Sequence, residues 1–206
     1  MDVITAFLAG DIDEEIYMNQ SKEFEQEEDL VCKLKKSLYD LKQSSRIWNQ
    51  KIRGFLESIE FKRTSVDHCV YTSKSGIIIM IYVNDLLIFG KKMIEINEVK
   101  EKLARMFEMK NMRELKYFLD MQIHRNRKER TLTITQSGYI GAILERFQMM
   151  NAKSMTTSMT IDIKLYKSNE NDEILNSTYY QSIIDSQMYE MLCTRSNIAF
   201  AISQLS

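Results

Sequence analysis

Two carboxylates and one amide are the side chains of this sequence that are the clearest candidates for a chemical role. Asp2 stands at the start of an apolar segment, and Asn84 and Asp85 stand between two strongly apolar runs. Carboxylate oxygens are ligands that Mg²⁺ prefers, and paired Mg²⁺ ions can clamp the attacking and leaving oxygens of a phosphoryl transfer. If the fold brings Asp2 close to Asp85, the sequence predicts a magnesium site suited to phosphoryl transfer.

The segment 77–90 must position Asn84 and Asp85. Apolar runs of this length and composition predict two buried strands. The polar pair between them predicts a tight two-residue turn, because Asn and Asp tolerate the positive φ that such a turn demands. The alternative interpretation is a core hairpin with no chemical role, since most Asn-Asp pairs of this kind only form a turn.

The spacing of apolar residues predicts the surrounding elements. Helices are predicted over residues 42–59, 94–107 and 139–147, strands over 31–38, 68–72, 117–124 and 131–135, and a helical pair over 179–205. The second helix would place Ile94, Val99, Leu103 and Met106 near one face. Polar residues 151–176 predict a loop or linker.

Composition limits the possible classes of protein. The 206 residues are 44% hydrophobic and 28% charged with a net charge of −1, which suits one domain, or a domain with part of another, and leaves any polyanion site to local charge. Cys32, Cys69 and Cys193 lack the spacing of a zinc site or disulfide frame, so we expect reduced thiols buried in the core. Without a signal peptide or a run near the ~20 apolar residues of a membrane span, we expect an intracellular protein whose compartment the sequence does not define.

Three motifs in sequence order carry a resemblance to a known family. They are DVITAFLAGD at residues 2–11, KLKKSLYDLKQ at 33–43 and YVND at 82–85. ELKYFL at 114–119, QSGYI at 136–140 and CTR at 193–195 continue the match. On these motifs the chain is identified as a member of the copia-type retrotransposon reverse transcriptases, the RNA-directed DNA polymerases of Pol polyproteins.

The resemblance implies an α+β fold shaped as a right hand, whose palm is an antiparallel sheet backed by helices. Residues 1–116 would form the palm with partial fingers, and residues 117–150 a primer-grip-like hairpin with a thumb helix. Residues 151–206 would form a linker and the start of a connector toward an RNase H domain. Because the chain begins at the first catalytic motif, we expect most of the fingers to be absent. We also expect the RNase H domain, which the connector would precede, to be absent.

The resemblance also implies catalytic and nucleotide-binding residues. Asp2, Asp85 and, more weakly, Asn84 would be catalytic and hold Mg²⁺ as cofactor. Phe7 would lie under the sugar and leave no room for a ribose 2′-hydroxyl, although its spacing suits a plain core residue equally well. The residues expected around the nucleotide and template strand are Val3, Ile4, Thr5, Ala6, Phe7, Tyr39, Asp40, Lys42 and Gln43.

A second implied site is the primer grip, to which Tyr117, Phe118 and Leu119 would belong. The basic tip at residues 125–130 could touch backbone phosphates, although such a charge run is more often a solvated loop. The implied partners are an RNA template, a DNA primer and a dNTP, with no membrane involved.

The chain departs from the family at Asn84, where the first aspartate of the hairpin pair is expected. An amide keeps one neutral oxygen but loses the negative charge, and a loss of ~4 kcal/mol of metal clamping slows chemistry roughly a thousandfold. We therefore expect a reverse transcriptase that is disabled by Asn84 and by the loss of the N-terminal fingers. The alternative is a non-catalytic remnant that at most binds nucleic acid or a partner chain.

Other departures concern glycine and proline, and the chain contains no proline. The positions at which the family typically carries glycine are Asp40, Arg113, Asp120 and Asp185. The positions at which it typically carries proline are Ser21, Ser45, Ser154, Ser158 and Ser196. We expect these changes to reduce the stability of the fold.

Overall fold

The computed structural model describes residues 1–26, 29–159 and 176–206. The chain divides into two compact units, Met1–Arg113 and Glu114–Ser206. The described residues form five α-helices and three antiparallel sheets. This confirms the mixed α+β class. Most of the predicted linker at 151–176 lies outside the described residues.

The first unit is built on one antiparallel sheet. Its elements are β1 (Asp2–Val3), β2 (Tyr17–Asn19), β3 (Val31–Lys33), α1 (Ser44–Ser58), β4 (Lys62–Arg63), β5 (Val70–Thr72), β6 (Ile78–Tyr82), β7 (Asp85–Phe89), α2 (Met93–Met106) and β8 (Met109–Lys110). Six strands form the main sheet in the order β4-β5-β6-β7-β1-β8. The first strand of the chain therefore lies between the apolar hairpin and the last strand of the unit.

Only one face of the main sheet is covered by the core. Ile79, Ile81 and Leu86 alternate along β6 and β7 and are buried together with Trp48 and Leu56 of α1. Burial of side chains of this size contributes about 1.5–3 kcal/mol each. Because neighbouring strand residues point to opposite faces, Asp85 lies on the other face.

The second unit combines a three-stranded sheet with helices. Its elements are β9 (Tyr117–Phe118), β10 (Met121–Asn126), β11 (Thr131–Thr135), α3 (Ser137–Arg146), α4 (Ser177–Cys193) and α5 (Ala199–Leu205). The strand order is β11-β10-β9. Tyr139 of α3 packs edge-on against Tyr189 of α4 with 4.9 Å between ring centroids, and its hydroxyl donates to the Ser186 carbonyl at 3.1 Å.

The turn of the hairpin between β6 and β7 differs by one residue from the prediction. Tyr82 pairs with Asp85, so the two turn residues are Val83 and Asn84, and Asp85 already belongs to β7. The positive φ of 54° falls on Val83, where a β-branched side chain is a genuine outlier. The prediction of a turn at Asn84 and Asp85 was wrong, because the side-chain preference of Asn and Asp was outweighed by the pairing register of the strands.

Four further predictions require correction. The cysteines expected in the core are not buried there, since Cys32 lies on the exposed strand β3, Cys69 is exposed and Cys193 is half-buried. Ile94 and Met106 are exposed, and Ile96 joins Val99 and Leu103 on the buried face of α2. The predicted strand 117–124 is divided by a turn, since Phe118 pairs with Met121. The predicted half-buried strand 31–38 is limited to the exposed β3, which pairs only with β2.

The backbone at three of the four positions where glycine was expected is left-handed. Asp40, Arg113 and Asp120 have φ of 68°, 60° and 57°, a region that favours glycine. Asp185 lies within α4 and is exposed. Left-handed strain therefore applies to the first three positions only.

Candidate catalytic site

The two predicted catalytic carboxylates lie side by side. Asp2 of β1 pairs directly with Asp85 of β7. Met1 and Leu86 exchange two backbone hydrogen bonds of 2.8 Å, so Asp2 and Asp85 form the adjacent non-hydrogen-bonded pair, in which opposite side chains approach most closely. The long-range pairing of β1 with the hairpin thus brings both carboxylates to one face of the sheet.

Asn84 connects the turn to the same site. Its side-chain Nδ2 donates to Asp2 Oδ1 at 2.7 Å, and its backbone carbonyl accepts from Val3 N at 2.9 Å. The amide therefore holds Asp2 through a hydrogen bond that an ionised aspartate at position 84 could not donate.

The electrostatics of the site favour a bound cation. Burial, followed by the negative charge of Asp2, raises the pKa of Asp85, and the Met1 ammonium group acts in the opposite direction. Burial, with a smaller effect from the charge of Lys100, lowers the pKa of the Met1 ammonium group. Two carboxylates held close together in a partly desolvated place repel each other unless a positive charge or a proton lies between them.

Lys110 is a site residue that the sequence analysis missed. It stands opposite Asp2 on β8, so Tyr82, Asp85, Asp2 and Lys110 form one row across four strands. Its neighbours in the sequence give no sign of this placement, because β8 joins β1 through a contact over more than a hundred residues. The register therefore places Lys110 on the face of the sheet that carries the carboxylate pair.

The oxygen ligands of the site suit a hard cation, but they carry less negative charge than three carboxylates would. Asp2 and Asp85 supply oxygen ligands of the kind that Mg²⁺ prefers, whereas Asn84 directs an N–H donor at Asp2. Within the described ranges, no group of three or more His, Cys, Asp or Glu side chains is arranged to hold a metal ion.

The predicted nucleotide-binding stretch that follows Asp2 is partly occupied by the sheet. The amide of Val3 donates to Asn84 O at 2.9 Å and that of Ile4 to Glu108 O at 3.0 Å. Contact of these two amides with a triphosphate would require the sheet pairing to break. Thr5 is half-buried and Ala6 is buried, and both lie beyond the pairing.

Phe7 and Tyr39 lie together, as a shared nucleotide site would require. Their rings meet edge-on with 5.0 Å between centroids. Phe7 is half-buried and also packs against the core, whereas Tyr39 is 53% exposed. The two interpretations of Phe7, core residue and sugar platform, are therefore compatible with one position.

The remaining predicted nucleotide residues lie in the loop before α1. Asp40 and Lys42 are exposed. Gln43 stands at the N-cap position of α1 without a capping side-chain hydrogen bond, and its Nε2 donates to Glu14 Oε2 at 3.3 Å. The loop is closed by a buried hydrogen bond of 2.6 Å between Ser37 Oγ and Ser44 Oγ. This serine pair is a second feature that the sequence analysis did not identify.

The predicted primer-grip residues belong to the second unit. Tyr117 and Phe118 form β9, and Leu119 begins the turn to β10 with a φ of 47°. Tyr117 also lines a cleft of about 510 Å³ together with polar side chains that include Lys116 and His124. Tyr117 is 66% exposed.

No helix in the described ranges has the length and apolar character that crossing a membrane requires.

Comparison with known proteins gives one family. The family model for reverse transcriptase (RNA-dependent DNA polymerase) matches residues 1–161. Over the whole chain, the retrovirus-related Pol polyprotein from transposon TNT 1-94 of Nicotiana tabacum is 41% identical, and that from transposon RE1 of Arabidopsis thaliana is 33% identical. The chain spans 16% and 14% of the lengths of these two relatives.

A shorter relative matches along much of its own length. The putative transposon Ty5-1 protein YCL074W of Saccharomyces cerevisiae is 30% identical over the whole chain, which covers 68% of that protein. No solved structure matches the chain. The resemblance to copia-type elements is confirmed, and the chain belongs to the reverse transcriptase (RNA-dependent DNA polymerase) family, as a reverse transcriptase domain of retrotransposon Pol polyproteins.

Proposed function

We propose that this chain carries the palm of a copia-type reverse transcriptase and that Asn84 impairs its chemistry. The observation that carries the proposal is the direct pairing of Asp2 with Asp85, with Asn84 hydrogen-bonded to Asp2. Family membership supplies the reaction, in which a dNTP is added to a DNA primer on an RNA template.

The right-hand organisation is part of the proposal. Residues 1–116 would be the palm with partial fingers, residues 117–150 the primer grip and thumb helix, and residues 151–206 the linker and connector. The antiparallel main sheet with α1 and α2 supports the first assignment. The exposed position of Tyr117 on β9 supports the second.

The carboxylates of Asp2 and Asp85 provide the negative charge and the oxygen ligands of the site. Mg²⁺ bound there would supply Lewis acidity and a clamp on the phosphoryl oxygens, which is worth several kcal/mol. Phe7, braced by Tyr39, would fill the space beside the sugar where a ribose 2′-hydroxyl would lie.

Asn84 weakens this arrangement in two ways. Its side chain brings no negative charge, so the site attracts a divalent cation less strongly than three carboxylates would. Its amide also occupies Asp2 Oδ1 with a hydrogen bond of 2.7 Å, which must break before that oxygen can use the same lone pair on a metal.

Primer extension on an RNA template tests the proposal. In Mg²⁺, and again in Mn²⁺, we expect the unmodified chain to be about a thousandfold slower than Asn84→Asp. Asp85→Asn is the matched control. It should remove the remaining activity both from the unmodified chain and from Asn84→Asp. Equal rates for the unmodified chain and Asn84→Asp would contradict the role given to Asn84, and binding of primer–template without extension by either would favour a non-catalytic domain.

A further inference from the structure

The hairpin turn beside the carboxylates has an unfavourable backbone. Val83 has a φ of 54°, and a β-branched residue rarely adopts this region. Such strain persists only where the surrounding structure over-determines the conformation. The contacts that hold the turn therefore help to fix the positions of Asn84 and Asp85.

Two different elements bind the two carbonyl groups of this turn. Trp48 of α1 donates its indole Nε1–H to Val83 O at 2.7 Å. Val3 of β1 donates its amide to Asn84 O at 2.9 Å. Together the two bonds fix the orientation of the peptide group that follows Val83 and of the one that follows Asn84.

The position of the indole ring is itself fixed by packing. Trp48 is 3% exposed and meets Phe107 edge-on with 5.3 Å between centroids. Phe107 is in turn braced by Phe55 at 5.4 Å. The ring therefore presents its N–H to the turn from a rigid part of the core.

From these contacts we propose that Trp48 is a positioning residue for the catalytic site. Its indole N–H holds Val83 in the left-handed conformation, and this places Asn84 and Asp85 beside Asp2. The functional importance of this placement rests on the function proposed above, whereas the placement itself is a property of the fold.

The chain allows a test without any substitution, because Trp48 is its only tryptophan. The single indole N–H resonance should exchange with solvent slowly, at a rate comparable with the amides of β6 and β7. Exchange at the rate of a surface indole would overturn the proposal.

A substitution then separates positioning from packing. Trp48→Phe keeps an aromatic ring in the core and removes the donor, and Phe55→Leu is the matched control that weakens core packing two rings away from the turn. We expect Trp48→Phe to accelerate exchange of the Val3 amide by about tenfold relative to the core amides of α1, the scale of one lost hydrogen bond. Phe55→Leu should change the exchange rates of the Val3 amide and of the core amides of α1 by the same factor.

The affinity for Mn²⁺, measured by electron paramagnetic resonance, tests whether the conformation of the turn affects the metal site. Trp48→Phe should bind Mn²⁺ several-fold more weakly than the unmodified chain, and Phe55→Leu should bind it with unchanged affinity. Parallel behaviour of the two variants in exchange and in Mn²⁺ affinity would overturn the positioning role. Failure of the unmodified chain to bind Mn²⁺ would instead contradict the proposed function, and the exchange measurements would still decide the role of Trp48.

Discussion

At the scale of the residue, the hydrogen bond from Asn84 to Asp2 distinguishes the site of this chain from a site with three carboxylates. The bond of 2.7 Å lets the fold place Asn84 next to two acidic groups without a metal ion. An aspartate at the same position would add a third negative charge and remove the donor. The same change that we propose to weaken catalysis should therefore stabilise the metal-free protein.

Asn84→Asp should make folding depend on the metal ion. In a chelator we expect the variant to lose about 2 kcal/mol of unfolding free energy, because a hydrogen bond to a charged group is replaced by repulsion. Added Mg²⁺ should recover much of this loss and should affect the unmodified chain little. Thermal unfolding with and without Mg²⁺ measures both effects.

Asn84→Ala is the control for this prediction, because it removes the hydrogen bond and adds no charge. It should lose stability without gaining a response to Mg²⁺. Equal stability of Asn84→Asp and the unmodified chain in chelator would contradict the account.

The raised pKa of Asp85 predicts a pH dependence of stability. A carboxyl group whose pKa is higher in the folded state binds more protons there, so stability decreases as pH rises from its ordinary value of 3.8 through the raised value. In metal-free buffer Asp85→Asn should remove this component of the decrease. Unfolding free energies from denaturant titrations at several pH values provide the measurement, and identical pH profiles for the two proteins would contradict it.

At the scale of the element, the helices and the apolar hairpin could be predicted because their signals are local. The spacing of Trp48, Ile52 and Leu56 defines the buried face of α1, and the apolar runs define β6 and β7. The insertion of β1 between β7 and β8 has no local signal, so convergence of Asp2 with Asp85 could be expected only from the family resemblance.

The errors also have local causes. The turn lies at Val83 and Asn84 because the strand register and the hydrogen bond from the Trp48 indole act on the backbone. The prediction considered only the side-chain preferences of Asn and Asp. Ile94 was placed on the buried face of α2 because it fits the apolar spacing, yet it lies in the first turn of the helix, and the face that packs is set by Ile96, Val99 and Leu103.

Left-handed positions should respond to glycine with a gain in stability. Arg113 has a φ of 60°, so Arg113→Gly should raise the unfolding free energy by about 1 kcal/mol. Lys102→Gly, within α2, is the opposite control and should lower it by a similar amount. Chemical denaturation distinguishes the two, and a loss of stability in Arg113→Gly would show that the backbone at this position is not strained.

At the scale of the whole molecule, a net charge of −1 gives no general attraction to nucleic acid. The tip of the β10–β11 hairpin is locally basic, with Arg125 near the end of β10 and Arg127, Lys128 and Arg130 between the two strands. Arg127 is paired with Glu114 at 3.1 Å, so the other three cations are the better candidates for phosphate contacts.

Replacement of Lys128 by alanine should weaken binding to a primer–template duplex and reduce its salt dependence. One lost phosphate contact lowers the slope of log K against log salt by roughly 0.7–0.9. Fluorescence anisotropy at several salt concentrations gives the slope. Lys102→Ala, on an exposed position of α2, should leave it unchanged, and an equal decrease in both variants would exclude a specific role for the tip.

The central claim is that Asp2 and Asp85 together form the metal site. Paramagnetic broadening of assigned amide signals by Mn²⁺ tests it most directly. The account predicts saturable broadening centred on residues 1–4 and 83–87 that is lost in both Asp2→Asn and Asp85→Asn. Broadening centred elsewhere in the chain, or persisting unchanged in either variant, would contradict it.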